Sequence, residues 1–126
     1  MENKNLDMFC LTLEPKHFSY IKELNYIPVG LGEKSFPDNC LGDKVGNNIS
    51  LKNKFYGEYT FHYWLWKNHL KNINKEWIGF CQYRKYWAFN FTPNKEINFD
   101  NLKSKVLKEI PNNLNNFDVI LGEPFF

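Results

Sequence analysis

The sequence predicts an α/β fold with an open, mainly parallel sheet and flanking helices. Short apolar runs with strand character alternate with segments whose apolar residues recur at helical spacing. Clusters of glycine, proline and asparagine separate these segments and are typical of turns and loops. The order strand, helix, strand, helix, strand, helix, strand is the pattern of parallel strands joined by crossover helices.

The first half of the chain supplies two of the predicted strands. Leu6–Leu13 is an almost continuous apolar run and predicts a buried strand. Pro15 then opens a predicted helix that ends at Leu24, since proline suits the first helical turn. Tyr26–Val29 predicts a second short strand. Residues 30–53 are rich in glycine, asparagine and aspartate and predict a long loop, which in compact domains is commonly functional.

A second helix is predicted from Lys54 to Lys71, with Asn53 as its N-cap. Aromatic residues populate nearly all of its sides, so we expect burial on more than one face, at the centre of a layered domain. A polar connection over Asn68–Asn74 leads to the third predicted strand, Trp77–Cys81.

The last third of the chain predicts one more helix and one more strand. Residues 89–98, with Pro93, predict a loop. Asp100 is the expected cap of a helix over residues 101–110, and Pro111 helps to end it. Phe117–Leu121 predicts a fourth strand, closed by Gly122 and Pro124.

Composition narrows the class of protein. The 126 residues fit a single α/β domain over residues 1–126, and the net charge of +2 comes from interspersed acids and bases. This pattern argues against general nucleic-acid binding. Three widely spaced cysteines without a Cys-x-x-Cys pair fit a reducing cytosol, so we expect a cytoplasmic protein. Neither a signal peptide nor a membrane-spanning run is visible.

The end of the sequence bears on activity. The helix that an alternating fold would place after the last predicted strand does not follow it. We therefore expect the N-terminal part of a longer domain, or a short relative of one.

Ligands of open α/β sheets bind outside the carboxyl ends of the strands, which predicts where a site lies. The segments at that edge are Thr12–Lys16, Gly30–Gly32, Gln82–Trp87 and Gly122–Phe125. Arg84, the only arginine of the chain, falls there beside Lys85. Its guanidinium can grip a phosphate or carboxylate with two hydrogen bonds, while Tyr83 or Tyr86 stacks on a base or sugar ring. The alternative is that Arg84 braces an internal carboxylate such as Glu58 and the aromatic rings fill the core.

Three other sequence patterns give weaker predictions of function. Glu58 and His62 lie one helical turn apart, which suits an acid–base pair or two metal ligands, but a buried structural hydrogen bond is the favoured reading. His62 and His69 are two turns apart, roughly 10 Å, too far to share a metal. The segment Gly42–Ser50 can present backbone N–H groups and amide side chains to a ligand, or be an ordinary loop. It has no Walker lysine and no dinucleotide glycine spacing.

Three motifs resemble a bacterial family of unknown function that is associated with capsular, exopolysaccharide or lipopolysaccharide synthesis and regarded as glycosyltransferase-like. The motifs are NNISLKN at 47–53, YGEYT with YWLWKN over 56–68, and IGFCQYRKYW at 78–87. Phe117–Leu121 with Pro124 resembles the next strand of that family, and the similarity spans residues 7–126.

The resemblance implies a Rossmann-like fold of the GT-A type, with a nucleotide-sugar donor at the strand ends, a saccharide acceptor and a divalent cation, Mn²⁺ or Mg²⁺, as cofactor. It places Gln82–Lys85 where such enzymes hold metal-binding carboxylates, so Arg84 and Lys85 would replace or adjoin the charge of the metal. It also implies that the protein is peripheral to the inner face of the membrane. The family has Asp at Asn47 and His at Gln82, and losing these groups predicts a specialised subgroup or reduced activity.

The leading hypothesis is therefore a nucleotide-sugar-dependent glycosyltransferase domain in cell-surface polysaccharide synthesis. The alternatives are a non-catalytic nucleotide- or carbohydrate-binding module and, third, a structural interaction domain. Glu58 and Arg84 are the predicted catalytic residues, and no residue is predicted as a metal ligand. The predicted substrate- and nucleotide-binding residues are Thr12, Asn48, Tyr83, Arg84 and Lys85.

Overall fold

The computed structural model describes residues 5–88 and 98–123. In this part of the chain, four strands form one parallel sheet in the order β3-β2-β1-β4. The predicted fold class is confirmed. The strands are β1 (Leu6–Thr12), β2 (Ile27–Gly30), β3 (Leu41–Gly42) and β4 (Trp77–Gln82).

Four short α-helices connect and cover the strands. They are α1 (Phe18–Glu23), α2 (Asn53–Tyr56), α3 (Tyr59–Asn68) and α4 (Phe99–Lys105). Pro15 does begin the first helical segment, through a 3₁₀ turn that leads into α1. The 3₁₀ turns are Pro15–His17, Ser50–Lys52, Leu70–Asn72 and Asn112–Leu114.

Strand β1 is buried on both faces because its side chains alternate between two hydrophobic clusters. One cluster joins β1 to α1 and to the segment after α4, and the other joins β1 to α3. The sheet therefore has a layer of helix or ordered chain on each side. The first cluster contains Leu6, Met8, Cys10, Ile21, Leu24, Tyr26, Cys81, Val106, Leu107 and Ile110, and the second contains Phe9, Leu11, Val29, Leu31, Phe61, Trp64 and Leu65.

The helix predicted over residues 54–71 is not continuous. Gly57 has φ +54° and ψ −128°, which ends α2 before α3 begins. Residues with a Cβ rarely adopt such a conformation, and glycine adopts it freely. Asn53 is not the N-cap, since a 3₁₀ turn precedes it. Its side chain instead donates to the Gly57 carbonyl and to Thr60 Oγ1, both at 3.0 Å, and so bridges the break.

The expectation that this helical segment is buried on more than one face is wrong. Thr60, Phe61, Trp64 and Leu65 form the buried face of α3. The opposite face is open, with Tyr59 63% and Trp66 61% exposed. The reason is that α3 packs against one face of the sheet, and no described element covers its outer side.

Helix α4 differs from the prediction at both of its ends. The cap of α4 is Asn98, whose side chain accepts from the amide of Asn101, and Asp100 lies in the first turn. The helix ends at Lys105 instead of residue 110 because Val106 is extended and bridges to Ala88.

The predicted strand Phe117–Leu121 is not a strand. Its side chains at Phe117, Val119 and Leu121 are exposed, and an apolar run forms a strand only where a neighbour offers hydrogen bonds. The fourth strand is instead β3, a two-residue strand inside the predicted loop. Of the loop predicted over residues 89–98, residues 89–97, with Pro93, lie outside the described residues, as do residues 124–126, with Pro124.

The order of the strands defines a crevice. The chain proceeds from β1 outward to β2 and β3, and then returns to place β4 on the other side of β1. Strand order therefore reverses between β1 and β4, and ligands of open α/β sheets bind at such a reversal, outside the carboxyl ends of the strands. Thr12 pairs with Gly30, and Leu11 pairs with Gln82, so these residues mark that edge.

Candidate functional site at the carboxyl edge of the sheet

Thr12 ends β1 at this crevice and holds a histidine that follows it. Its buried hydroxyl lies 2.7 Å from Nδ1 of His17, and it also accepts from the amide of Glu14 at 3.1 Å. Partial burial lowers the pKa of His17, the nearby Lys16 ammonium lowers it further, and Glu14 opposes both. His17 is therefore held in a fixed orientation and favours the neutral form.

Tyr83 and Arg84 extend this arrangement from the end of β4. The ring of Tyr83 stacks on His17 with centroids 4.2 Å apart and planes inclined by 20°. The Arg84 guanidinium lies 5.2 Å from the centre of the Tyr83 ring and is exposed. Lys85 is also exposed, and its amide closes a tight turn onto the Gln82 carbonyl at 2.9 Å. The structure thus brings together Thr12, Tyr83, Arg84 and Lys85, with His17 linking the two strand ends.

Glu58 approaches the same strand end from the helical layer. Its carboxylate accepts a hydrogen bond of 2.8 Å from the Gln82 side chain. No ion pair joins Arg84 to Glu58 in the described part of the chain, so the reading in which this arginine braces that carboxylate is not supported. The favoured hydrogen bond between Glu58 and His62 is not observed: the Glu58 carboxylate accepts from Gln82, and Nε2 of His62 is buried without a hydrogen-bond partner among the described residues.

His62 is packed against an aromatic ring. Its imidazole lies 4.2 Å from the ring of Phe80, and burial lowers its pKa while Glu58 opposes the shift. A neutral histidine on a ring contributes to packing and does not act as a charged group.

A buried carboxylate lies just beyond β3. Asp43 has 0% of its surface exposed, and neither of its side-chain oxygens has a hydrogen-bond partner within residues 5–88 and 98–123. Burying a polar group without a partner costs folding free energy, and a charge costs more. Because β3 is parallel to its neighbours, Asp43 follows the same edge that carries Thr12 and Gln82. Both oxygens are closed to solvent, so a ligand reaches them only if the chain around β3 moves.

The loop after Asp43 is fixed to α3 by amide and indole groups. Trp64 Nε1 donates to the Val45 carbonyl at 2.6 Å. The Asn68 side chain donates to the Asn47 carbonyl at 2.8 Å and accepts from the Asn47 amide at 3.2 Å. The tryptophan and asparagine of the YWLWKN motif therefore set the position of the loop.

Asn48 is used within that loop. Its side chain donates to the carbonyls of Lys44 and Gly46 and accepts from Ser50. None of these hydrogen bonds reaches Thr12, Tyr83 or Arg84. Its predicted role in ligand binding stays a prediction.

A divalent cation has no ready set of protein ligands here. Across residues 5–88 and 98–123, no three His, Cys, Asp or Glu side chains come together in a way that could hold a metal. Glu58 is the carboxylate at the end of β4, and it is engaged with Gln82.

The sequence prediction missed His17, and it included Asp43 only as part of the segment Gly42–Ser50, without a role for its side chain. A signal for His17 was present, since it lies five residues after Thr12, in the segment that follows a predicted strand. Asp43 carried a weaker signal, because a two-residue strand leaves no recognisable pattern before it. Its burial depends on contacts that are distant in sequence.

Comparison with known proteins agrees with this fold. The chain belongs to the family described as Domain of unknown function (DUF4422), whose model matches residues 10–125. No curated protein matches the chain at a significant level.

Among solved structures, the chain is similar to the apo structure of the WbbM bifunctional glycosyltransferase. The TM-score is 0.56 and the sequence identity 29%, over 75% of this chain and 16% of that chain. The chain thus spans about a sixth of the WbbM chain and is glycosyltransferase-like in fold and sequence. None of the described helices is long and apolar enough to cross a bilayer.

Proposed function

We propose that this chain forms the donor-binding part of a nucleotide-sugar-dependent glycosyltransferase that transfers a sugar to a saccharide acceptor during synthesis of a cell-surface polysaccharide. One observation carries the proposal. Cationic and stacking side chains converge where strand order reverses, in a sheet similar to that of a glycosyltransferase. Family membership supports the same class of protein.

Arg84 and Lys85 would bind the diphosphate of the donor. Both are exposed at the end of β4, so their charge is available to a ligand in the crevice. As the bond between sugar and diphosphate breaks, negative charge grows on the leaving nucleoside diphosphate. Fixed cations that meet this charge stabilise the transition state more than the ground state.

Tyr83 and His17 would form a stacking surface for the base or a sugar ring. Their rings are already parallel to within 20°, and Thr12 fixes the imidazole. A surface that is ordered before binding loses less entropy when the ligand arrives.

Asp43 and Glu58 would accept hydrogen bonds from hydroxyl or N–H groups of the donor. Glu58 is positioned by Gln82 at 2.8 Å, and Asp43 has unsatisfied acceptors on both oxygens. A ligand that donates to Asp43 would offset the cost of burying it.

Calorimetric titration tests this proposal, using nucleoside diphosphates and nucleotide sugars with and without manganese. We expect the wild type to bind these ligands. Arg84→Lys should bind them about tenfold more weakly, because lysine cannot form two parallel hydrogen bonds with a phosphate. The control Lys103→Gln changes an exposed charge on α4 and should leave the affinity unaltered. No binding by the wild type, or equal binding by Arg84→Lys, contradicts the assignment.

A non-catalytic nucleotide- or carbohydrate-binding module is the second candidate. The observation that favours it is that the Glu58 carboxylate is already hydrogen-bonded to the side chain of Gln82, an amide that cannot take up or release a proton. Turnover separates the two functions. Release of nucleoside diphosphate from a nucleotide sugar, stimulated by a saccharide acceptor, indicates transfer, whereas binding without release indicates the module.

A further inference from the structure

The outer side of α2 and α3 exposes large aromatic side chains. Phe55 is 76% exposed, Tyr56 51%, Tyr59 63% and Trp66 61%. Tyr63 is half-buried beside them, with its ring 6.0 Å from that of Trp66. We name these five residues the aromatic face. Tyr59 and Trp66 lie opposite the buried side of α3, and Phe55 and Tyr56 belong to α2, which buries no side chain. Tyr63 also donates its hydroxyl to Asn47 Oδ1 at 3.0 Å and so helps to hold the loop after β3.

The charged residues around the aromatic face are almost all cationic. Over residues 50–72 they are four exposed lysines and a single carboxylate. That carboxylate, Glu58, already accepts a hydrogen bond from Gln82. The face therefore suits an anionic partner. The lysines are Lys52, Lys54, Lys67 and Lys71.

Two of these lysines lie over the rings themselves. Lys67 Nζ is 3.6 Å from the ring centre of Trp66 and 5.9 Å from that of Tyr63. Lys54 Nζ is 5.0 Å from the ring centre of Phe55. Positive charge thus lies within the aromatic surface and not only at its border.

This mixture separates two kinds of partner. Cores of protein–protein interfaces are enriched in tryptophan and tyrosine but depleted in lysine. Membrane-binding surfaces use aromatic residues and lysine together. The aromatic rings lie at the level of the lipid headgroups. The aliphatic part of each lysine side chain lies among apolar groups, and its ammonium group contacts the lipid phosphates.

We propose that the aromatic face docks this protein onto the surface of a bilayer that contains anionic phospholipid. The lysines supply long-range attraction to the lipid phosphates, and Phe55, Tyr59 and Trp66 enter the headgroup region. This inference goes beyond the proposed function and does not depend on it, since the aromatic face and the donor crevice use different residues.

Co-sedimentation with unilamellar vesicles tests the inference. One set consists of phosphatidylcholine alone, and the other of phosphatidylcholine with a quarter phosphatidylglycerol. We expect the purified protein to bind the anionic vesicles, with a partition coefficient that falls as salt rises. Binding to the neutral vesicles should be weaker.

Paired variants locate the surface. Each lysine near an anionic bilayer contributes about fivefold to the partition coefficient, so Lys67→Gln with Lys71→Gln should reduce it about 25-fold. The matched control, Lys103→Gln with Lys105→Gln, removes the same charge from exposed positions of α4 and should change it far less. Trp66→Ser should reduce binding at least about tenfold by removing a ring that enters the headgroup region, while Phe117→Ser, at another exposed aromatic, should not.

Three results would overturn the proposal. The first is that the wild type does not bind anionic vesicles. The second is that the control pair on α4 lowers binding as much as the pair near Trp66. The third is self-association of the wild type, measured by sedimentation, that Trp66→Ser abolishes in the absence of vesicle binding. Such self-association would assign the aromatic face to contacts between copies of the chain. The conservative lysine variants keep the test valid if Trp66→Ser does not fold.

Discussion

At the scale of single residues, Asp43 is where folding and binding make opposing demands. Its carboxylate is fully buried and meets no donor in the part of the chain that the structure describes, so the folded protein bears a cost that a neutral side chain would reduce. A buried polar side chain without a hydrogen-bond partner lowers the stability of the fold. Such a side chain is expected beside the ligand-binding edge of a sheet when a bound ligand supplies the missing hydrogen bonds. This reasoning separates Asp43 from the exposed acids of the chain.

Asp43→Asn should therefore raise stability and weaken binding together. We expect the free energy of unfolding to rise by about 1–2 kcal/mol, because the amide costs less to bury than a carboxylate. The affinity for a nucleoside diphosphate should fall about tenfold or more. Urea denaturation and calorimetry measure the two quantities. The control Asp38→Asn alters an exposed acid and should change neither. A loss of stability with unchanged binding would show that Asp43 has a structural role.

The lowered pKa of His62 predicts how the stability of the fold depends on pH. Burial lowers its pKa from the ordinary 6.5, so below that value the unfolded chain binds more protons than the folded one. Its contribution is complete above about pH 6.5 and is lost as the pH falls toward the folded pKa. His17 acts in the same direction.

The measurement is urea denaturation of the wild type and of His62→Gln at about pH 7.5 and about pH 5.5. The decrease in unfolding free energy between the two should be smaller in His62→Gln. Lys103→Gln, an exposed change on α4, should keep the decrease seen in the wild type. An identical decrease in His62→Gln would contradict the assignment.

The candidate site shows which residues a sequence can reveal. Thr12, Tyr83 and Arg84 are predictable because they directly follow strands with clear patterns, and parallel strands bring their carboxyl ends to one edge. The stacking of His17 on Tyr83 joins residues 66 positions apart in sequence, and no local pattern encodes it. The pairing of Glu58 with Gln82 is likewise a tertiary contact.

At the scale of elements, Gly57 decides the shape of the helical layer. With a Cβ, its conformation at φ +54° would be strained, although nothing lies within 4 Å of that atom. The cost of Gly57→Ala is therefore backbone strain without a clash, and the free energy of unfolding should fall by about 1–3 kcal/mol. Urea denaturation measures this change.

The control Gly122→Ala is an exposed glycine where a Cβ would make only an ordinary contact of 3.8 Å with Trp87. We expect little change in stability there. If Gly57→Ala proved as stable as the wild type, α2 and α3 would tolerate being joined as the one helix that the sequence pattern indicates.

The elements show why some predictions succeed. β1 and β2 are predictable because a buried strand is apolar along its length, and the partly buried β4 because its run Trp77–Cys81 is apolar too. β3 is not, since two residues carry no period, and its place depends on the pairing of Leu41 with Val29. Phe117–Leu121 has the composition of a strand but no strand beside it among the described residues. Composition indicates which secondary structure a segment can form, and contacts with neighbouring segments decide whether it forms.

At the scale of the whole molecule, the fold carries two surfaces of different chemistry. The carboxyl edge joins a few cations to a pair of stacked rings, which suits a compact anionic ligand. The outer side of α2 and α3 spreads lysines over exposed aromatic rings, which suits an extended anionic surface.

This arrangement predicts that the two binding activities can be separated. Arg84→Lys should weaken nucleotide binding about tenfold and leave vesicle binding unchanged, because lysine keeps the charge and loses only the two-point grip. Lys67→Gln with Lys71→Gln should weaken vesicle binding and leave nucleotide binding unchanged. Mutations at independent sites add within about 0.3–0.5 kcal/mol, so the triple variant should show the two losses side by side. Calorimetry and co-sedimentation on the same four proteins measure this. A larger deviation, or nucleotide affinity that falls with Lys67 and Lys71, would mean that one ligand contacts both surfaces.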